Sequence, residues 1–262
     1  MEMLEALEDR VAAQTDGSRI EKQCTDVAVA ALEQRCTDAA AATAAALERS
    51  AATIADYEAV AGAYARANAD HDVSQNIEAL LSALRAGDGE RRLAILDLGC
   101  GGGRDLAALA RRNCDVWGVD GSPAMCAIAA AACPEATVRA VDFVAGLDLA
   151  VRFDGVFANA SLFHAPSARL PAVLRDLRRA LKPGGVLFAS VRHGDGGDVE
   201  GWARGRSPTT RAWVARLSEG TWDDAFAAAG FELLRGYHRG DTTNYYCTVW
   251  RRGRGESDAA AG

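Results

Sequence analysis

The sequence predicts an α/β protein: a doubly wound, mainly parallel seven-stranded sheet carrying an N-terminal helical extension. Three observations lead there. Residues 1 to about 70 are rich in Ala, Glu, Gln and Leu, hold no Pro, and read as helix. From Leu93 onward short apolar runs alternate with amphipathic segments, as strands joined by crossover helices require. The last two strand candidates are separated only by Arg239 to Asn244, a link suited to antiparallel neighbours at one edge.

Element by element, Thr15-Asp16-Gly17-Ser18 predicts a turn between a short first helix and a long helix or two. Large apolar residues follow no sustained heptad there, so the segment is expected to lie as a helical arm on the body or on a second subunit. A helix is expected over Ser74 to Leu84, with Asp72 and Gln75 in the form of a capping box at its start. Strands are expected at Ala94 to Leu98, Val116 to Asp120, Thr137 to Val141, Gly155 to Asn159, Val186 to Val191, Phe231 to Tyr237 and Tyr245 to Arg251. Helices fill the gaps at Asp105 to Arg112, Pro123 to Ala132, Arg169 to Leu181 and Trp222 to Ala229, and Gly253 to Gly262 reads as a frayed tail.

Composition narrows the function. The chain of 262 residues is 49% hydrophobic and 25% charged, enough for one sizeable core plus an appendage. The net charge of −7 is uneven: residues 1–90 carry −10, residues 91–262 carry +3. An acidic first third and a near-neutral body argue against nucleic acid as partner and favour a small substrate. The 56 alanines, and 27 Arg against two Lys, read as coding bias and not as phosphate recognition. Seven cysteines form no C-x-x-C pair, so neither a disulfide framework nor a metal site is expected. With an acidic start and no long apolar run, the chain is expected in the cytoplasm, away from membranes.

The first strand leads into Asp97-Leu98-Gly99-Cys100-Gly101-Gly102-Gly103-Arg104-Asp105. Glycines permit a sharp turn and close approach of a ligand to the backbone, and the helix that follows opens with free N–H groups. Arg104 stands where a dinucleotide fingerprint needs its third glycine, so the pattern is G-x-G-x-G, ending at Gly103. Asp120 at the second strand end can accept both hydroxyls of a ribose, and Asp142 with Phe143 after the third can take an exocyclic amine and pack on a purine. Each piece alone is weak, since a strand-end acid is more often a cap; their order at successive carboxyl ends carries the argument.

In these segments the chain resembles the class I S-adenosylmethionine-dependent methyltransferases, through Ile95 to Asp105, Val116 to Gly121, Val138 to Phe143, Phe153 to Asn159 and Leu181-Lys182-Pro183-Gly184-Gly185. The resemblance implies a Rossmann-like methyltransferase domain at 57–252, with a helical extension at 1–56, a flexible tail at 253–262, and S-adenosyl-L-methionine as cofactor. It further implies that Gly99, Gly101 and Gly103 line the cofactor, Asp120 with Gly121 holds the ribose, and Asp142 with Phe143 holds the adenine. Asn159 would face the methionine part and the methyl group, while Asp97 orients the glycine loop or meets the ammonium group.

Substrate identity has to come from less generic runs. His71-Asp72-Val73-Ser74-Gln75-Asn76 and Phe157-Ala158-Asn159-Ala160-Ser161-Leu162-Phe163-His164, with Glu200-Gly201-Trp202 and Asn244-Tyr245-Tyr246, resemble the methyltransferase of ovothiol biosynthesis, which also occurs as the C-terminal domain of 5-histidylcysteine sulfoxide synthases. That resemblance implies N-methylation of the imidazole of 5-thiohistidine, the last step to ovothiol A. It also suggests sulfoxide-synthase or lyase partners, or a homodimer, through the N-terminal helices. His71, Gln75, Asn76, His164 and Tyr245 can hydrogen-bond an amino-acid substrate, Phe163 can wall it, and Asp72 or His71 can take a proton. The bland readings are a helix cap for Asp72 and a packed loop histidine for His164. Ser190 to Gly194 and Gly240 to Cys247 depart from that family, which leaves two alternatives: methylation of another small thiol, amine or carboxylate, or a catalytically silent cofactor-binding scaffold.

Overall fold

The computed structural model describes the backbone of residues 2–85, 91–194, 196–204, 211–239 and 245–253, and side chains from residue 29 onward. The tail beyond 253 and the link at 240–244 lie outside the described residues. Contacts divide the chain into two units, Met1–Ala45 and Ala46–Gly262. Helix α1 is assigned over Glu2–Asn68. The turn expected at Thr15-Asp16-Gly17-Ser18 does not form, and helix passes through it. One glycine costs a helix only about 1 kcal/mol against alanine, too little to outweigh the helix-forming residues on both sides.

In the second unit α2 (Ser74–Arg85) precedes β1 (Leu93–Leu98), α3 (Arg104–Ala110), β2 (Cys114–Asp120), α4 (Pro123–Ala132), β3 (Thr137–Ala140) and β4 (Phe153–Asn159). A short 3₁₀ turn at Leu162–His164 leads to α5 (Leu170–Ala180) and β5 (Leu181–Arg192). Then come β6 (Val199–Arg204), β7 (Arg211–Arg216), α6 (Glu219–Ala228), β8 (Phe231–His238) and β9 (Tyr245–Arg252). Seven strands form one sheet in the order β3-β2-β1-β4-β5-β9-β8. The first five pair in parallel, and β9 runs antiparallel to both β5 and β8. Chain direction across the sheet reverses between β1 and β4, which opens a crevice outside their carboxyl ends, where such sheets bind ligands.

Strand alternation explains the two covered faces. Val156, Ala158, Leu187 and Ala189 join a core with α5 and α6, in which Trp222, Phe226 and Trp250 are buried. Phe157 and Phe188 point the other way and join Ile77, Leu80 and Leu81 of α2 and Leu106 and Leu109 of α3. The Phe157 and Phe188 rings stack at 4.9 Å. Full burial of each such side chain is worth about 1.5–3 kcal/mol, so this central sandwich holds the strand ends in place. The Lys182-Pro183-Gly184-Gly185 run loops out of the ladder, because Phe153 pairs Leu181 while Gly155 pairs Val186.

The β6–β7 hairpin departs from the sequence expectation, which placed no strands there. Its six residue pairs form a separate two-stranded sheet, with Trp202 opposite Trp213 and the two rings edge to face at 5.6 Å. Gly201 and the flanking arginines break any long apolar run, and the pairing is stabilised by packing of β7 beside the Leu162–His164 turn, which no local pattern reports.

Candidate active site

The glycine loop sits between β1 and α3. Gly103 has φ +84, and a Cβ there would lie 2.7 Å from the Ala129 Cα of α4; Gly101 has φ +51, and a Cβ there would meet nothing within 4 Å. Gly103 is thus required by loop-to-helix packing, while Gly101 presents bare backbone to open space. Asp120 ends β2 and accepts the Gly101 N–H (3.0 Å) and the Ser122 N–H (2.9 Å), one on each oxygen. It ties the glycine loop to the next turn and lines the cleft. Burial raises its pKa, against those two N–H bonds, which lower it.

Residues 50–58 of α1 lie across the ends of β2 and β3. The Ser50 hydroxyl donates to Asp142 Oδ1 at 2.9 Å, and a Cβ on Gly121 would fall 2.5 Å from Ile54. Glu58 accepts the Ser122 hydroxyl and, at 2.9 Å, the Ala124 N–H. Asp142, Phe143, Gly121 and Tyr57 line this same cleft. Sequence reasoning missed Ser50, Ile54, Tyr57 and Glu58, because they belong to no motif in a helix whose only visible signal was its composition. A domain start at residue 57 leaves Ser50 and Ile54 outside, although both line the cleft.

A second, adjoining cleft shares Gly99, Gly101, Tyr64 and Ala160 with the first and holds Asn159, His71 and Tyr245. Its floor is a chain of hydrogen bonds. The Tyr237 hydroxyl donates to Asn76 Oδ1 (3.0 Å), Asn76 Nδ2 to Asn159 Oδ1 (3.0 Å), and Asn159 Nδ2 to Asp105 Oδ2 (3.0 Å). Asp105 is also gripped by the neighbouring Arg104 guanidinium at 2.6 and 3.0 Å. Behind them Asp97 is 2% exposed, and its Oδ2 has no partner among the described residues. Burial, with the Asp105 charge second, pushes its pKa well up; Arg104 opposes.

Not every expected substrate residue reaches the cleft. Asp72 is exposed and accepts the Ser74 N–H at 2.9 Å, a contact two residues on at the start of α2 in place of the box expected with Gln75, and the Ser74 side chain and this N–H lower its pKa. Gln75 is exposed. Asn76 is buried and acts on Asn159. Phe163 is buried beneath His164 and Tyr245, at 4.5 and 5.9 Å. His164 faces the Trp213 carbonyl with Nδ1 (2.8 Å) and the Tyr57 hydroxyl with Nε2 (3.2 Å). Burial lowers its pKa to about 4, so it is neutral, donating from Nδ1 and accepting from Tyr57. Thr53 Oγ1 accepts the Trp213 N–H at 3.0 Å, so the Trp213 backbone holds both Thr53 and His164, which line the first cleft. Arg239 reaches His71 Nε2 at 3.3 Å and the Asp72 carbonyl at 3.1 Å.

These features fit S-adenosylmethionine. An unpartnered buried carboxylate oxygen on Asp97 suits an ammonium group, the open backbone at Gly101 suits close approach, and Asp120 and Asp142 supply acceptors at neighbouring strand ends.

At the level of the domain the chain is similar to known proteins. Residues 95–185 match the family model described as a methyltransferase domain. Over 103 residues the chain is 36% identical to a ubiquinone biosynthesis O-methyltransferase from Methylobacterium nodulans, covering 38% of this chain and 41% of the relative. It is 37% identical over 102 residues to an uncharacterized methyltransferase from Synechocystis, covering 37% of this chain and 45% of the other. The chain thus spans less than half of the curated relatives it matches. Among solved structures, it superposes on the 1,6-didemethyltoxoflavin-N1-methyltransferase of Burkholderia thailandensis, bound to its substrate and S-adenosylhomocysteine, with TM-score 0.62, 20% identity, and coverage of 80% of this chain and 91% of that one. A second neighbour is the S-adenosylmethionine-bound amino pentose methyltransferase of Micromonospora echinaspora, with TM-score 0.55, 24% identity, and coverage of 72% and 95%. Residues 95–185 are thus similar to a methyltransferase domain, and the chain shares the fold of S-adenosylmethionine-dependent methyltransferases of known structure.

Proposed function

We propose that this chain transfers a methyl group to a nitrogen of a small amino-acid-like acceptor, namely the imidazole of 5-thiohistidine. The observation that carries the transferase reading is the pairing of the open glycine loop with the unpartnered Asp97 oxygen and the strand-end acids. When bound, S-adenosylmethionine supplies a methyl group activated on a sulfonium. The protein has to position and exclude water, since a neutral imidazole nitrogen is already nucleophilic near neutral pH. Asn159, fixed from both sides by Asn76 and Asp105, would orient the reacting groups. Tyr245 and His71 would hydrogen-bond the acceptor from the second cleft. Of the two proton acceptors considered, His71 lines that cleft while Asp72 caps α2, so we assign the proton to His71. The acceptor itself rests on the H-D-V-S-Q-N and F-A-N-A-S-L-F-H runs and on the aromatic side chains of His164 and Tyr245 that line the two clefts.

A second reading is O-methylation of a small hydroxyl compound, favoured by the 36% identity to the ubiquinone biosynthesis enzyme. One assay separates them. Purified protein is incubated with S-adenosylmethionine and, in turn, 5-thiohistidine, histidine, simple thiols and catechols, following S-adenosylhomocysteine and product mass. A methylated imidazole supports the first reading, and turnover of a catechol with 5-thiohistidine untouched replaces it by the second. Tight cofactor binding without any product would mean a silent scaffold.

A further inference from the structure

We propose that His193, Glu219 and His238 bind one divalent transition-metal ion of the zinc class at the edge of the sheet. The residues come from three elements. His193 directly follows β5, Glu219 is the first residue of α6, and His238 is the last of β8. Because β5 and β8 both run antiparallel to β9, they point the same way and deliver both histidines to the carboxyl end of the sheet. There Glu219 Oε1 lies 3.2 Å from His238 Nε2 and 3.7 Å from His193 Nδ1. All three donor atoms lie within 4.8 Å of one another, and the two imidazole rings are 5.1 Å apart.

Tetrahedral zinc with bonds of about 2.0–2.1 Å places its ligand atoms roughly 3.3 Å apart. One pair is already at that spacing. The Glu219 and His238 side chains are 42% and 49% exposed, so small rotamer changes can close the rest around the more buried His193, at 15%. Two imidazoles and one carboxylate, completed by water, form a donor set that zinc accepts. Asp223 and Asp224 follow Glu219 in the same short helix and add further carboxylates on that element. An ion there would fasten the root of the β6–β7 hairpin, which begins soon after His193, to the end of β8. The hairpin carries the Trp213 backbone that holds His164. Separations of 26 and 19 residues between the ligands match no local motif, so only the fold reveals the cluster.

The test uses the full chain, stripped with a chelator and titrated with Zn²⁺ by calorimetry, with Co²⁺ as an absorbance probe. One equivalent is expected to bind, with a tetrahedral Co²⁺ spectrum free of the thiolate charge-transfer band that cysteine ligation would add. His193→Ala and His238→Ala are each expected to weaken Zn²⁺ by at least the roughly 10–100-fold that loss of an outer hydrogen-bond partner costs a metal site. Absence of stoichiometric binding, wild-type affinity in His238→Ala, or a thiolate band would overturn the assignment. His238 is exposed, so its variant keeps the test open if His193→Ala fails to fold.

Discussion

Replacing Gly103 and Gly101 separately by alanine should split stability from cofactor binding. At Gly103 the new Cβ would stand 2.7 Å from the Ala129 Cα and 3.0 Å from its carbonyl oxygen, both backbone atoms that cannot swing away. Left-handed backbone costs an L-residue about 1–2 kcal/mol, and forcing α4 back adds about 1–3 kcal/mol. Less the roughly 0.4–1 kcal/mol that alanine removes from unfolded-chain entropy, Gly103→Ala should therefore lose about 1–4.5 kcal/mol, or roughly 2–18 °C in Tm for a domain of this size. At Gly101 φ is also positive but the Cβ position is open, so only the backbone cost applies. Part of it is offset by the roughly 0.4–1 kcal/mol that alanine removes from unfolded-chain entropy, leaving about 0–1.5 kcal/mol. The Gly101 methyl would, however, project where the cofactor has to approach. Urea denaturation and calorimetry with S-adenosylhomocysteine measure the two quantities. If Gly101→Ala lost as much stability as Gly103→Ala, or bound S-adenosylhomocysteine like the wild type, the division of roles would be wrong.

Three further outcomes are expected. Asp120→Ala should weaken S-adenosylhomocysteine at least tenfold, from a charged hydrogen-bond acceptor worth about 1.5–3 kcal/mol; unchanged affinity by calorimetry would remove Asp120 from the ribose site. Asp97 has a raised folded-state pKa, so its share of stability is present below the ordinary carboxylate pKa and is lost as pH rises through the folded value. Asp97→Asn should then be more stable than wild type at pH 7 while binding S-adenosylhomocysteine more weakly, and a less stable variant in urea titrations would contradict this. His164, neutral down to about pH 4, shifts the other way: stability falls as pH drops from about 6.5 to about 4, by at most about 3 kcal/mol, because the unfolded chain takes up the proton first. His164→Asn should flatten that part of a urea stability profile, and an unchanged slope would place the titration elsewhere.

Much of the site was legible in the chain itself. The run of strands and helices from Leu93 onward follows from apolar periodicity, because a parallel strand buried on both faces must be apolar nearly throughout. The glycines, Asp120 and Asn159 were legible for a related reason: strand ends and the turns after them are local, so the residues that line the crevice there are fixed by position along the chain. Val199–Arg204 and Arg211–Arg216 were not legible as strands, since their partners are each other and the Leu162–His164 turn, not a continuous core. Asn76 shows the boundary between the two cases. Its presence in H-D-V-S-Q-N marked it as a substrate ligand, yet it is 1% exposed and hydrogen-bonds Asn159 and Tyr237, which lie 83 and 161 residues away.

The sequence by itself determined the α/β class, the glycine loop at the first strand end and the acids at the next two, because local backbone geometry and alternating burial set all three. Only the tertiary structure decided that Ser50 to Glu58 of a plain alanine-rich helix crosses those strand ends, that a hairpin holds His164 and Thr53 at the cleft, and that His193, Glu219 and His238 meet. Those contacts join residues tens to more than a hundred positions apart, and they exist only once the sheet order and the direction of β9 bring their elements to one end.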